Sequence, residues 1–317
     1  MKKTVKLFAL VMGAMLLLSG CGGDGNATQP KELAIATASI GGAFYPVGQE
    51  IANLVSTYAD GLSMSPEVTG GAVENPRLLD SGESDFGITN ANIAYFAGQG
   101  TDPFTEPLNV QAVGNLHASV FHIITMADSP INSIADLKGK KIAVGPSGGG
   151  TLPILELVLE KYGMTMDDIV PSYLSYSDGF TQLSDGNVDV ALALSGYPAS
   201  SVMEISATDK IKFLEPEQDI LDEIASEYSY YTVVTVPAAE YKLDADAKAI
   251  GVNNVLLVRK DLDEDTVYKV TKAIYDHLDE FAENNASAKQ IDPNTLADTA
   301  IGLHPGAQKY FDEKSGK

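Results

Sequence analysis

The sequence repeats one local pattern, in which an apolar strand is followed by a serine- and glycine-rich turn and then by a helix. Residues 33–37 (LAIAT) precede the turn SIGGAF at 39–44, and residues 141–145 (KIAVG) precede SGGGT at 147–151. Each helix N-terminus offers unpaired backbone N–H groups and the positive end of the helix dipole, which suits anion binding. In open α/β sheets, ligands bind at the carboxyl ends of strands, where such turns lie. One turn in each half of the chain predicts two lobes facing each other across a cleft.

Short β-branched or apolar runs alternate with helical patterns along the rest of the chain, which predicts an α/β fold. Periodicity predicts helices at 45–58 and 151–162. A single long amphipathic helix is predicted at 263–284, with acidic residues in its first turn. Further strands are predicted at 86–89, 120–126, 189–194, 231–236 and 252–258.

The first twenty residues have the form of a bacterial lipoprotein signal. Three lysines precede an apolar run at 7–18, which is short for a membrane span and ends in Leu-Ser-Gly before Cys21. Cys21 is the single cysteine of the chain, so no intramolecular disulfide can form. A plain cleaved signal beside a stray cysteine is the alternative. We expect a signal peptide at 1–20, a polar tether at 21–30, and an extracytoplasmic protein held at the cell membrane by a lipid on Cys21.

The chain is strongly acidic, with a formal net charge of −22 that becomes more negative when the lysine-containing signal is removed. Such a surface argues against nucleic acid and anionic lipid as partners. It also repels anions, so an anion must be held by local groups. Arginine, whose fork binds carboxylates well, occurs only at Arg77 and Arg259, and both suit an exposed surface. Backbone amides and hydroxyls are therefore expected to hold an anionic ligand.

An enzyme is the sharpest alternative, because residues 145–149 (GPSGG) match the G-x-S-x-G nucleophile elbow around Ser147. A serine hydrolase would also need an acid and a histidine, for which His277 or His304 could serve. The three glycines before Thr151 instead favour backbone contact with a ligand. The four histidines have no metal-ligand spacing and no cofactor motif is present, so we predict no catalytic role, metal or cofactor.

Several of these stretches resemble the TAXI family of solute-binding proteins that serve TRAP transporters. The resemblance is carried by residues 35–46 (IATASIGGAFYP), 68–79 (VTGGAVENPRLL), 81–90 (SGESDFGITN) and 303–307 (LHPGA). It implies a two-lobed periplasmic-binding-protein fold with hinge strands and a cleft between the lobes. It also implies a small carboxylate or amino-acid ligand, such as glutamate or 2-oxoglutarate, and a TRAP membrane permease as partner.

The resemblance also implies a set of ligand-binding positions. The family tends to show Gln-Ser-Asp at 90–92, so Ala91 lacks a hydroxyl that could bind the ligand. The implied positions are Ser39, Gly42, Phe44, Tyr45, Asn75, Asn90, Ala91, Ser147, Gly149, Gly150 and Thr151, with Tyr176, Ser195 and Tyr197 as looser correspondences.

We expect residues 31–121 and 248–317 to form the first lobe and residues 122–247 the second. The lobes would close about the hinge on a ligand that binds the closed state more tightly. A monomer is expected. A ligand-sensing module for a membrane receptor would use the same physics and differ only in its partner.

Replacing Cys21 should release the protein from the membrane. If the lipid is attached there, the Cys21→Ala variant appears in the soluble fraction, whereas the wild type needs detergent. Fractionation followed by mass spectrometry of the N-terminal peptide measures this. A wild type that is soluble without detergent would contradict the anchor.

Overall fold

The computed structural model describes residues 29–316, so the predicted signal peptide, Cys21 and most of the tether lie outside the described residues. The strands are β1 (Lys31–Ala36), β2 (Leu62–Glu67), β3 (Phe86–Asn90), β4 (Val110–Met126), β5 (Lys141–Ala143), β6 (Val170–Ser172), β7 (Val190–Ser195), β8 (Ile211–Phe213), β9 (Tyr231–Val236) and β10 (Ala247–Arg259). The helices are α1 (Phe44–Tyr58), α2 (Glu74–Ser81), α3 (Ala91–Gln99), α4 (Thr151–Lys161), α5 (Tyr176–Ser184), α6 (Ser200–Thr208), α7 (Gln218–Glu227), α8 (Ala238–Tyr241), α9 (Glu264–Tyr275), α10 (Leu278–Asn284) and α11 (Pro305–Ser315).

The strands form one mixed sheet in the order β2-β1-β3-β10-β4-β7-β5-β6, with β9 paired to β10 and β8 to β4. Parallel pairs lie toward both ends of the sheet, β1 with β2 and β3 on one side and β5 with β6 and β7 on the other. Helices pack against this sheet, as the alternating sequence pattern predicts, so the α/β class is confirmed.

Two long antiparallel strands, β4 and β10, join the two parallel groups. Their pairing runs from Val120 opposite Gly251 to Val110 opposite Arg259. Beyond this shared stretch, β4 continues alongside β7, and the first half of β10 lies beside β9. The two-lobed fold with crossing hinge strands is thus present. The predicted lobe boundaries fall inside β4 and at the start of β10, and the division into lobes there stays a prediction.

Strand β4 is longer than the apolar sequence pattern predicted. The apolar pattern predicted a strand only at 120–126, because Asn115, His117 and Ser119 interrupt the preceding run. These polar side chains are nevertheless buried, since the strand crosses the middle of the sheet and is covered on both faces.

The prediction of a single helix at 263–284 is wrong, because the helix is interrupted at Asp276 and His277, between α9 and α10. His277 takes φ −121° and ψ +33°, outside the helical region, and its ring stacks on Tyr58 with centroids 3.6 Å apart. The Asp276 carboxylate accepts a hydrogen bond from the Tyr310 hydroxyl at 2.8 Å and pairs with Lys314. These contacts with α1 and α11 are tertiary, so no local periodicity could reveal the break.

Two fully buried histidines on β4 should make the protein less stable in mild acid. Burial lowers the pKa of both His117 and His122 to about 4 from the ordinary 6.5. Between pH 7 and pH 4 these histidines therefore bind protons in the unfolded chain but not in the folded protein. The free energy of unfolding falls as the pH drops through this range. By pH 5 each histidine should cost roughly 1–2 kcal/mol of unfolding free energy.

Urea denaturation at pH 7 and pH 5 measures this effect. A His117→Gln variant should lose part of the pH dependence, whatever its absolute stability. An unchanged slope in that variant would show that His117 takes no part.

Candidate functional site

The two glycine-rich turns lie where the sequence pattern predicts them, each at the carboxyl end of a strand and the start of a helix. The first leads from β1 into α1 and the second from β5 into α4, and neither helix has a side-chain cap. Gly41 and Gly145 take φ values of +103° and +85°, which favour glycine strongly. The N-cap residues of α1 and α4 thus leave the first-turn N–H groups without a capping side chain of their own, although the Ala43 N–H donates to Ser195 Oγ and the Gly149 N–H to the Pro146 carbonyl.

A third turn, which contains Gly70 and Gly71 and precedes α2, belongs to the same arrangement. It was not predicted as part of the site. A Cβ on Gly70 would lie 3.3 Å from the Gly148 Cα, so the two backbones approach closely. The Gly148 carbonyl oxygen accepts hydrogen bonds from the N–H groups of Val73 at 2.9 Å and Glu74 at 3.3 Å. The two consecutive glycines before a helix were the signal that sequence reasoning overlooked.

A small cavity lies between the three turns. Its volume is about 20 Å³, room for about one water molecule. None of its lining side chains carries a charge. The lining residues are Ala38, Ser39, Gly42, Ala43, Phe44, Gly70, Gly71, Ala72, Asn90, Pro146, Gly149, Gly150, Tyr176 and Leu194.

Two buried polar atoms of residues that line this cavity, Ser39 Oγ and Asn90 Oδ1, have no hydrogen-bond partner within residues 29–316. A third unpartnered atom, Thr151 Oγ1, lies outside the lining, at the first residue of α4 and next to the lining residue Gly150. Thr151 lies close enough to the Tyr176 hydroxyl to affect its pKa, but forms no hydrogen bond of ordinary geometry with it. The Tyr176 hydroxyl itself donates to the Leu194 carbonyl at 3.3 Å. Unpartnered buried groups are rare because each costs about 1–3 kcal/mol. Two such groups in the lining of one cavity, with a third beside it, mark the cavity as a place for a polar ligand.

Asn90 forms the floor of the cavity, and behind it lies a buried polar cluster contributed by the crossing strands. The Asn90 Nδ2 donates to Asn254 Oδ1 at 2.7 Å, and the Ser119 hydroxyl donates to the same oxygen at 3.0 Å. All three residues are essentially inaccessible to solvent. Asn254 and Ser119 were not among the predicted positions, although polar residues inside predicted strands could have pointed to them.

Hydrogen bonds hold the two sides of the cavity together. The Ala43 N–H donates to Ser195 Oγ at 3.0 Å, and the Ser200 hydroxyl donates to the Gly41 carbonyl at 3.2 Å. Ser195 therefore fastens the α1 turn to the end of β7. Together with the bonds to Gly148, these contacts describe a closed cleft.

Other predicted positions lie outside the cavity lining. The Asn75 amide donates to the carbonyls of β1 and β3, with its shortest bond 2.6 Å to Ile88 O, and so ties two strands together. Ser147 is exposed, and Tyr45 is partly exposed. Ala91 lines a separate groove, and Tyr197 packs beside a second apolar cluster formed by β7, α5 and α6.

Neither arginine reaches the cavity. Arg77 donates to the Pro103 carbonyl at 2.7 Å and lies over the Phe104 ring, and Arg259 pairs with Asp85 at 3.3 Å. Both are engaged on the surface of the first parallel group, which leaves backbone and hydroxyl groups to meet a ligand.

The histidines required by the hydrolase alternative are also engaged elsewhere. His277 stacks on Tyr58, and His304 caps α11 while its ring contacts the Leu262 carbonyl. Within the described part of the chain no cluster of three or more His, Cys, Asp or Glu side chains could hold a metal ion. No helix among residues 29–316 is long and apolar enough to cross a membrane.

Two parallel strand groups joined by crossing strands are the architecture of the two-lobed periplasmic-binding-protein fold. The chain belongs to the NMT1-like family, whose sequence profile matches residues 35–315. It is similar to an Escherichia coli K12 protein named for binding aliphatic sulfonates, with 32% identity over 82 residues. That stretch is 26% of this chain and 25% of the relative, so the match spans about a quarter of the curated protein.

Solved structures share the fold at low identity. A Bordetella bronchiseptica RB50 protein superposes with a TM-score of 0.56 at 16% identity, covering 90% of this chain and 89% of that one. A Listeria monocytogenes protein named for L-cystine ABC transport gives 0.51 at 13% identity, covering 85% and 99%. At such identity the likeness extends to the fold alone.

Filling the cavity from the backbone should abolish ligand binding. A Cβ at Gly150 would overlap with Asn90 Oδ1, whose side chain is held by Asn254, so Gly150→Ala should keep the cleft from closing. We expect at least a tenfold loss of affinity for any ligand found by screening. Gly302→Ala is the matched control, because its Cβ meets nothing within 4 Å. Calorimetry measures the ligand affinity of both variants. If Gly150→Ala and Gly302→Ala bind the ligand equally well, the ligand site lies elsewhere.

Proposed function

We propose that this chain is a lipid-anchored, extracytoplasmic solute-binding protein that captures a small carboxylate and delivers it to a TRAP-type permease. Glutamate and 2-oxoglutarate are the ligands that the resemblance to the TAXI family favours. The observation that carries the proposal is the cavity lined by uncharged side chains beside two helix N-termini, with unpartnered polar atoms of Ser39 and Asn90 in its lining and that of Thr151 next to it.

The chemistry of the cavity supports an anion. The starts of α1 and α4 supply backbone N–H groups and positive dipole ends. Ser39 and Thr151 add hydroxyls that can donate to a carboxylate. No lining side chain is charged, but the Glu74 carboxylate accepts a hydrogen bond from the N–H of the lining residue Gly70. The proposed anion would therefore be held at the starts of α1 and α4 and not at the Gly70 amide.

The cavity is closed down to about 20 Å³, room for about one water molecule. A small carboxylate would therefore enter a more open form of the cleft, in which the two sides have moved apart. The bonds from Ala43 to Ser195 and from Val73 to Gly148 would form only as the two sides approach. We propose that closure occurs between residues 31–121 with 248–317 and residues 122–247, as the sequence predicts.

A sulfonate is the competing ligand, since the Escherichia coli relative is named for binding aliphatic sulfonates. A thermal-shift screen of glutamate, 2-oxoglutarate, propionate and ethanesulfonate separates the two classes. Saturating carboxylate at 100 times its Kd should stabilise the protein by about 2.7 kcal/mol. A shift with ethanesulfonate alone would replace carboxylate by sulfonate, and no shift with any anion would reject the anion site.

The transporter partner is tested separately. A TRAP-type membrane subunit should copurify with the wild-type protein from detergent-solubilised native membranes, and more strongly with ligand present. Recovery of an ABC permease instead would correct the partner without changing the binding function.

Removing the Thr151 hydroxyl should weaken binding of the best carboxylate about tenfold or more. A hydrogen bond to a charged group contributes about 1.5–3 kcal/mol, and 1.4 kcal/mol is a factor of ten in affinity. Thr151→Val keeps the shape, and Thr101→Val, at an exposed loop threonine, is its matched control. Calorimetry measures both, together with Arg77→Ala. If Arg77→Ala abolishes binding while Thr151→Val binds normally, an arginine clamp replaces the proposed mechanism.

A further inference from the structure

A second and larger groove lies on the opposite face of the hinge strands. Successive residues of a strand point to opposite faces, and Asn254 of β10 meets the cavity floor while its neighbour Asn253 lines the groove. Ala91 likewise lines the groove, whereas the preceding Asn90 lines the cavity. The groove has an empty volume of about 1200 Å³ and is open to solvent.

One wall of the groove is aromatic. The Tyr230 ring lies 5.8 Å from the rings of both Tyr95 and Tyr228, measured between centroids, and 5.9 Å from that of Phe96. Tyr95 remains 41% exposed, so its ring is available to a ligand. The rings come from α3 and from the segment between α7 and β9, so they are held by two different parts of the fold.

The charges at the groove are negative. Glu227 and Asp298 line it, and no lysine or arginine does. Glu227 pairs with Lys161 at 2.7 Å, whereas Asp298 makes no ion pair among the described residues. The Asn115 side-chain amide donates to the Asp298 carbonyl at 3.0 Å and to the Thr295 carbonyl at 2.8 Å, which fixes the loop that carries Asp298.

From these features we infer that the groove binds a small organic cation bearing an ammonium or guanidinium group. A cation is attracted to the face of a tyrosine ring and to a carboxylate, and a planar guanidinium can also stack on the ring. The negative charge of the whole chain attracts cations toward the protein. This chemistry is opposite to that of the uncharged cavity, so the inference does not depend on which anion the cavity takes.

Propylguanidinium is the probe and neutral propionamide its control, titrated at low ionic strength into the mature chain. The chain has no tryptophan, so tyrosine fluorescence can report binding directly, with NMR line shifts as a second readout. We expect saturable binding of propylguanidinium and none of propionamide. Tyr95→Leu should weaken binding about two- to fivefold, the range for a cation over an exposed ring, while Tyr95→Phe should keep it.

Binding in the groove must be distinguished from a non-specific attraction of the cationic probe to an acidic protein. Asp298→Asn and Asp60→Asn change the net charge equally, but Asp60 lies in the turn between α1 and β2, far along the chain from the groove. We expect Asp298→Asn to weaken the binding of propylguanidinium and Asp60→Asn to leave it unchanged. Equal weakening by both variants, no binding to the wild type, or wild-type affinity in Tyr95→Leu would each overturn the inference. Thr151→Val should bind the probe normally, so failure of the anion site and failure of the groove remain distinguishable.

Discussion

The antiparallel pairing of β4 and β10 is the interaction on which the rest of the structure depends. In β4, Val120 stands opposite both Gly251 of β10 and Ser195 of β7, and on its other side β10 pairs with β3 so that Asn254 stands opposite Asn90. The ends of β3 and β7, which belong to different parallel groups, are thereby brought to the same cavity. A slip of one residue in β10 would turn Asn254 to the opposite face and dismantle the buried polar cluster.

The glycines of the three turns serve this geometry. Close approach of Gly70 to Gly148 lets a carbonyl of one turn bind the N-terminus of α2 in another. A side chain at either position would hold the two backbones apart. The cost of leaving Ser39, Asn90 and Thr151 unpartnered is then the cost of keeping donors and acceptors ready for a solute.

The two faces of the hinge strands differ in charge because different segments cover them. The groove is walled by α3, the end of α7 and the loop that carries Asp298, none of which lines the cavity. The cavity face carries amides and hydroxyls without charge, and the groove face carries tyrosines and carboxylates. The overall field of so acidic a chain repels anions, so the proposed site must hold its ligand with local donors that are shielded from the surface charges. The closed cavity provides that shielding.

The sequence by itself determined the parts of this protein that depend on near neighbours along the chain. The alternating apolar patterns predicted the α/β class, and the serine- and glycine-rich turns predicted where α1 and α4 begin. Ser39, Asn90 and Gly150 were placed at the cavity by motif resemblance, and the structure brings them together.

Tertiary structure decided what depends on contacts between distant segments. The first half of β4 is a strand although polar residues interrupt its pattern, because β10 pairs with it and both faces are covered. The helix break at His277 follows from its stacking on Tyr58, more than two hundred residues away. Asn75 was predicted to touch the ligand, yet its amide is consumed by carbonyls of two strands that only the folded sheet brings near it. Local sequence propensity cannot indicate such partners, because the interaction energies between distant segments arise only when the chain has folded.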